Sequence, residues 1–178
     1  MIKRILFSIT ALILIFCGKS QAQEVKSIKN AIDTSTVMSQ DAKTIFKLIG
    51  FNEKDYGNYA LNDEESINIR KNGFNAILEA QNSISMGIFY QLYKTNSGKY
   101  LAGFCIGDIN QEDFWYYENG KLIKAKDILP KPTYNKKTST CSYIMFQNGI
   151  ECNIYNRNTQ QTTKEMYSWD GEKFVKQE

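Results

Sequence analysis

Histidine is absent from all 178 residues of this chain. Without imidazole, the chain cannot form a Ser-His or Cys-His nucleophile pair or a metal site with histidine ligands. The sequence also lacks a glycine-rich phosphate loop, a nucleophile elbow and a Cys-x-x-Cys spacing. These absences remove many hydrolase designs and several cofactor motifs, so the sequence favours a non-enzymatic protein that uses no cofactor.

A surplus of one charge sign is also lacking once the first 22 residues are set aside. Of the 22 basic residues, Lys3, Arg4 and Lys19 lie in that segment, which leaves 19 basic residues against all 19 acidic ones. A nucleic-acid binder needs an excess of Lys and Arg because it displaces counterions from phosphates. The balanced charge therefore predicts that the chain does not bind nucleic acid.

Long apolar runs are scarce, and the longest, which is interrupted only by Ser8 and Thr10, extends from Ile5 to Phe16. It follows the basic Lys3-Arg4 pair and precedes Ser20-Gln21-Ala22, whose small residues suit signal peptidase, with the cut before Gln23. As a helix the run spans about 18 Å, whereas a bilayer core is about 30 Å thick, so it is too short for a stable transmembrane anchor. We therefore expect a signal peptide at 1–22 and a single domain at 23–178.

The alternative to cleavage before Gln23 is that the chain is a lipoprotein, which would require acylation of Cys17. Phe16 precedes this cysteine, whereas the lipoprotein peptidase needs a small residue at that position. We therefore expect a periplasmic or secreted protein, and not a lipoprotein.

Cysteine is scarce beyond this segment, where only Cys105, Cys141 and Cys152 remain. If Asn148-Gly149 is a two-residue hairpin turn, residue 145 faces 152 and residue 141 faces 156. Cys141 and Cys152 then share a face but lie about 13 Å apart along the strands, beyond the reach of about 7 Å between disulfide Cα atoms. The alternatives are a different turn, a bond from Cys105 to one of the two, or thiols that are simply buried, and we favour the last two.

Two segments after residue 23 have helical spacing. Glu24 to Ile32 has apolar residues at 25, 28 and 32. Ser39 is a typical N-cap for the next segment, 41–49, which has apolar residues at 42, 45, 46 and 49 and is followed by Gly50. Residues 51–66 are turn-rich and are predicted to form a connecting loop.

Hairpin signals begin at Ile67. Asn72-Gly73, Asn119-Gly120, Asn148-Gly149 and Asp170-Gly171 are tight-turn dipeptides between strand-like segments. Both prolines lie in 127–140, which therefore cannot run through a sheet interior and separates six predicted strands from four. The strands are predicted at 67–71, 74–80, 86–94, 99–106, 112–118, 121–126, 141–147, 150–156, 163–169 and 172–176. The expected fold class is α+β, with one or two N-terminal helices before a mainly antiparallel meander of about ten strands that is curled or barrel-like.

The closing hairpin reads Tyr167-x-Trp169-Asp170-Gly171-x-x-Phe174. It resembles a pattern in small, uncharacterised, β-rich secreted or envelope proteins of Bacteroidota. The resemblance covers only this hairpin and implies such a source, but it carries no information about activity.

Four consecutive aromatic residues, Phe114 to Tyr117, are the first candidate site. Two of them point to each face of the sheet. Phe114 and Tyr116 are predicted to face the core, while Trp115 and Tyr117 form either a platform for a sugar or partner protein or a second covered face. The predicted hairpin pairs Trp115 with Lys124. The candidate binding residues are Trp115, Tyr117, Lys124 and Trp169.

Asp108, Asn110 and Glu112 occupy positions 1, 3 and 5 of a calcium-loop pattern. The pattern then fails, because position 6 is Asp113 where glycine is needed and position 12 is Asn119 where Glu is needed. These three residues are the candidate metal ligands, but a polar loop between strands is the favoured interpretation.

Paired carboxylates are the remaining route to chemistry without histidine. Glycoside hydrolysis needs two carboxylates about 5–9.5 Å apart. Glu112 or Asp113 with Glu79 or Glu151 is conceivable, but nothing in the sequence selects a pair.

Three functional hypotheses follow. The leading one is an exported, non-enzymatic inhibitor, immunity or accessory protein that binds another exported protein through a β surface. The alternative is a carbohydrate- or peptidoglycan-binding module that uses the same aromatics. The third is a carboxylate-dependent hydrolase.

Overall fold

The computed structural model describes residues 27–61, 66–80 and 84–178. The expected signal peptide, its cleavage site and Cys17 lie outside the described residues. Within them are two α-helices, α1 (Ile28–Thr34) and α2 (Gln40–Ile49), and neither is long and apolar enough to cross a membrane. Ser27 caps α1 by accepting the Asn30 N–H, so this helix begins later than predicted, whereas the Ser39 cap and the Gly50 stop of α2 are confirmed.

Each of the ten predicted strands is present to within two residues at each end. One two-residue strand is added inside the predicted 51–66 loop, where a 3₁₀ turn also forms at Glu53–Tyr56. Along the described part of the chain the strands are β1 (Tyr59–Ala60), β2 (Ile67–Arg70), β3 (Gly73–Ala80), β4 (Ser85–Lys94), β5 (Tyr100–Ile106), β6 (Phe114–Glu118), β7 (Lys121–Lys124), β8 (Ser139–Phe146), β9 (Gly149–Asn156), β10 (Gln161–Trp169) and β11 (Phe174–Lys176).

The strands form two open antiparallel sheets, so the α+β class is confirmed but the single curled or barrel-like sheet is wrong. One sheet contains β1 to β7 in the order β1-β3-β4-β5-β6-β7, with β2 also paired to β3; the other has the order β11-β10-β9-β8. The break falls between Lys124 and Ser139, the connection with Pro130 and Pro132. Because proline has no N–H to donate to a ladder, the chain leaves one sheet there and begins another.

The seven-stranded sheet is the middle of three layers. Along β4, Ile88 and Tyr90 belong to a core shared with the two helices, whereas Phe89 and Tyr93 belong to a second core shared with the four-stranded sheet. Alternating side chains of one strand thus pack into different cores, as expected for a strand covered on both faces. The other face of the four-stranded sheet is its outer face.

Hydrogen bonds from the aromatic side chains of Tyr90, Tyr93 and Trp169 link the layers. The Tyr90 hydroxyl donates to the Ala42 carbonyl in α2 (2.8 Å). The Tyr93 hydroxyl lies 2.8 Å from the Phe146 carbonyl oxygen and 3.0 Å from that of Gly149, and the Trp169 Nε1–H donates to the Lys94 carbonyl (2.7 Å). Sequence-distant elements are therefore held in register by buried or half-buried polar groups as well as by apolar contact.

Two of the four predicted turns lie one residue earlier than expected. Arg70 pairs with Gly73 and Phe146 with Gly149, so both glycines are the first residues of strands. A Cβ atom on Gly149 would lie 1.9 Å from the Tyr167 carbonyl oxygen of the neighbouring strand. Glycine is thus required there for the close approach of a strand and not for a turn conformation.

Gly149→Ala is expected to destabilise the protein by about 1–3 kcal/mol, because the added methyl group overlaps backbone in the interior of a sheet. Chemical denaturation monitored by circular dichroism measures the change. The exposed Ser142→Ala on β8 is the control and should shift the free energy of unfolding by less than about 0.5 kcal/mol. Equal stability of the Gly149 variant and the wild-type protein would contradict the close approach.

Candidate functional site

The outer face of the four-stranded sheet bears a group of exposed large apolar side chains. Met145, Ile150, Tyr167 and Phe174 point inward to the second core, so their strand neighbours point outward. A row here is a line of paired residues across the strands. We call the outward-pointing apolar side chains of two adjacent rows the outer stripe. It consists of Ile144, Phe146, Met166 and Val175, of which the last three are 38%, 37% and 42% exposed.

The strand register places the stripe at the end of the sheet that contains the β8–β9 turn. Phe146 pairs with Gly149, Gly149 with Ser168, and Ser168 with Val175. Gly149 contributes no side chain to this row and is buried, because the Tyr167 carbonyl oxygen fills the space where its Cβ atom would lie.

The single carboxylate within the stripe is neutralised. Glu151 lies between Ile144 and Met166 in the second row, and its Oε1 is 2.9 Å from Lys164 Nζ. The hydrogen bond from Lys164 lowers the pKa of Glu151, so this acid stays ionised and paired. The stripe therefore has little net charge.

Trp115 and Lys124 pair across the β6–β7 hairpin as predicted. The Lys124 Nζ lies 4.0 Å from the centroid of the Trp115 ring and 3.8 Å from Glu112 Oε2. Trp115 is half-buried, and Tyr117 packs against the core that the helices share. These aromatics thus lie on the helix-facing side of the seven-stranded sheet, and a cation already occupies one face of the indole.

Trp169 lies elsewhere, between the two sheets. Its ring packs against Tyr93 and Phe174, with centroid distances of 5.8 and 5.0 Å, and its N–H is bound to the Lys94 carbonyl. The structure therefore does not bring the four predicted binding residues together, and it uses Trp169 to join layers.

The loop with the predicted metal candidates is closed by its own hydrogen bonds. The Asn110 amide donates to the Asp108 carbonyl (3.1 Å), and Asp113 Oδ2 accepts the Asn110 backbone N–H (2.6 Å) at the start of a 3₁₀ turn. Burial raises the pKa of Asp113. Among the described residues, no cluster of three or more His, Cys, Asp or Glu side chains could hold a metal ion.

The suggested carboxylate pairs are distributed over different surfaces. Glu112 contacts Lys124 at the edge of the seven-stranded sheet, whereas Glu151 faces outward from the other sheet. Glu79 lies on β3, and β4 and β5 separate it from β6, which implies about 14 Å between the two strands. The structure thus offers no assembled acid-base pair from this set.

A groove of about 530 Å³ lies in the helix layer, on the opposite side of the molecule from the outer stripe. Ile32, Phe46 and Phe51 line it, and an ion pair of 2.9 Å between Lys47 and Asp33 spans its rim. This groove is a competing location for a ligand.

A cluster of polar side chains around Glu165 on β10 was not predicted from the sequence. Glu165 accepts hydrogen bonds from Lys176 Nζ and from the Tyr167 hydroxyl, both at 2.6 Å. Both hydrogen bonds lower the pKa of Glu165, and the bond from Lys176 has the larger effect. Because residues two apart on a strand share a face, the sequence places Glu165 and Tyr167 on the same face of β10. It does not predict their hydrogen bond, since charged residues in strands are ordinarily solvated.

Lys176→Met is expected to lower stability at neutral pH by at most about 1 kcal/mol, since Lys176 is largely exposed. A carboxyl with a depressed folded-state pKa contributes stability above its unfolded pKa and loses it as the pH falls through the folded pKa. The difference from wild type should therefore vanish under acid conditions. Urea denaturation at several pH values measures the free energy of unfolding, and the exposed Lys126→Met is the control. A stability difference between Lys176→Met and the wild-type protein that persists in acid would contradict this prediction.

No family model, curated protein or solved structure matches this chain. The geometry of the described residues and the sequence are therefore the basis for a functional proposal. Of the surfaces above, the outer stripe combines exposed apolar side chains with little net charge.

Proposed function

We propose that this chain is an exported, non-enzymatic protein that binds another exported protein through the outer stripe. The observation that supports it is that Phe146, Met166 and Val175 are exposed in two neighbouring rows of a sheet face that no described element covers. Single exposed apolar residues are ordinary, whereas several on one uncovered sheet face are typical of an interaction surface. An inhibitor, an immunity protein or an accessory subunit would act in this way.

The chemistry of the stripe favours a protein partner with an apolar contact surface. The stripe has no uncompensated cation for phosphates or anionic lipid, because Glu151 and Lys164 pair with each other. Exposed apolar side chains with little net charge suit a protein whose contact surface has an apolar centre and a polar rim. The partner that fits best therefore presents exposed aliphatic or aromatic residues to the outer stripe.

The glycan-binding alternative has less support from the geometry. Sugar rings stack on open aromatic faces, but Lys124 covers one face of Trp115 and the Trp169 ring packs between the sheets. Tyr117 packs towards the helices. A platform made from these three residues would need rearrangement before a glycan could bind.

Export is part of the proposal, and it is supported by the basic, apolar and small-residue pattern of residues 1–22. Protein recovered from the envelope or the culture fluid is expected to begin at Gln23. Recovery with Met1 retained would contradict signal-peptidase cleavage.

Affinity capture with tagged protein from envelope and culture-fluid extracts tests the binding proposal. The wild-type protein and the control Thr140→Lys, which changes an exposed residue of the same face outside the stripe, should retain one stoichiometric exported protein. Phe146→Lys should lose it. Equal retention by all three, or a tryptophan fluorescence change with soluble glycans and no retained protein, would contradict the proposal.

A further inference from the structure

Cys141 and Cys152 are much closer than the predicted turn implied. With the β8–β9 turn one residue earlier, Tyr143 pairs with Cys152 and Cys141 with Ile154. The two cysteines are therefore offset by two residues and are diagonal neighbours on the inner face of the sheet. Burial, and next the neighbouring Cys141 thiol, raise the pKa of the Cys152 thiol.

This arrangement is close to the geometry of a disulfide. Diagonal neighbours have Cα atoms about 7–8 Å apart, and a disulfide needs about 7 Å or less. β8 is the edge strand of its sheet and pairs there with β9 alone, so a small shift that closes the remaining distance disturbs a single ladder. All three described cysteines are free thiols in this structure.

The thiols differ in their access to solvent. Cys141 is half-exposed on the edge strand, whereas Cys152 is fully buried beside it. Cys105 is buried in the seven-stranded sheet, and burial together with Asp113 and Asp108 raises its pKa to about 12. An external reagent should therefore meet Cys141 first and Cys105 scarcely at all.

We propose that Cys141 and Cys152 are a redox-active dithiol that becomes an intramolecular disulfide by exchange with an accessible external disulfide. The Cys141 thiolate attacks one sulfur of that disulfide, forms a mixed disulfide and releases the first thiol. Cys152 then gives up its proton, and its thiolate attacks the Cys141 sulfur and releases the second thiol. The protein loses two hydrogens, and the external disulfide is reduced to two thiols.

The crosslink joins the edge strand β8 to the inner strand β9. β8 contains Ile144 and Phe146, so oxidation would fix the strand that supplies half of the outer stripe. The dithiol does not depend on the proposed binding function, because its chemistry uses only the inner face.

Peptide mapping of the folded full-length protein after treatment with oxidised glutathione tests the proposal. Trypsin releases one peptide, 138–157, that contains both cysteines and ends at Arg157. We expect this peptide to lose both alkylatable thiols and to become two hydrogens lighter, while Cys105 stays alkylatable. A peptide that keeps both thiols, or a stable glutathione adduct on Cys141 of the wild-type protein, overturns the proposal.

Two variants determine the order of attack. Cys152→Ser should accumulate a glutathione adduct on Cys141, because no second thiol can displace it. Cys141→Ser should leave Cys152 unmodified while the protein is folded. An adduct on Cys152 in that variant contradicts the assignment of Cys141 as the attacking thiol.

Discussion

Replacing Phe114 with alanine is expected to lower the free energy of unfolding by about 3–5 kcal/mol. The Phe114 side chain is 0% exposed and packs between the two sheets, with its ring 6.3 Å from that of Phe174. Truncation would remove apolar burial and leave a cavity that Met145 and its neighbours fill only in part. Urea denaturation monitored by circular dichroism measures the loss.

The control for this variant is Ile123→Ala on the neighbouring strand β7. Ile123 is 51% exposed, so its truncation should change the stability by less than about 0.5 kcal/mol. If Phe114→Ala were as mild as Ile123→Ala, the packing of the two sheets against each other would be wrong.

The double variant Phe146→Lys/Met166→Lys is expected to weaken binding of the captured partner by about 100-fold or more. Apolar anchors at the centre of an interface contribute about 2 kcal/mol or more each, and lysine would place a charge in the desolvated contact. Both side chains are exposed in the free protein, so its fold should remain intact. Isothermal titration calorimetry with the purified partner measures the affinity.

Thr140→Lys/Thr162→Lys is the matched control for this variant. Both threonines are exposed and pair with Tyr155 at the other end of the same sheet face. The control adds the same charge to the same face but leaves the stripe unchanged, so its affinity should equal that of the wild-type protein. A similar loss in both double variants would indicate a general charge effect and would contradict a binding surface at the stripe.

Local signals were enough to predict most of the elements. The Ser39 cap and the Gly50 stop define α2, and the strand bounds follow from composition and turn residues. The layering was not predictable, because it depends on contacts between distant residues such as Tyr93 and Phe146. The Asn-Gly dipeptide does not by itself tell whether its glycine lies in the turn or in the following strand. Gly120 has the positive φ of a turn, whereas Gly149 is a strand residue that a neighbouring backbone approaches.

The candidate surface was less predictable than the fold. Pairing of Trp115 with Lys124 followed from the hairpin register, but the position of the Lys124 ammonium over the Trp115 ring is seen only in the three-dimensional structure. Along β8, Met145 and Phe146 are both apolar, so alternation alone does not indicate which face is buried. The inter-sheet contact of Met145 resolves this, and only the three-dimensional structure shows it.

Hydroxyl-radical footprinting of the protein with and without its captured partner is the most direct test of the outer stripe as a binding surface. Oxidation reports the solvent exposure of each side chain, and Phe146 and Met166 are both reactive and exposed. The account predicts that these two residues become protected in the complex while Leu48 on α2 and Trp115 keep their reactivity. Protection of Leu48 or Trp115, with Phe146 and Met166 unchanged, would contradict it.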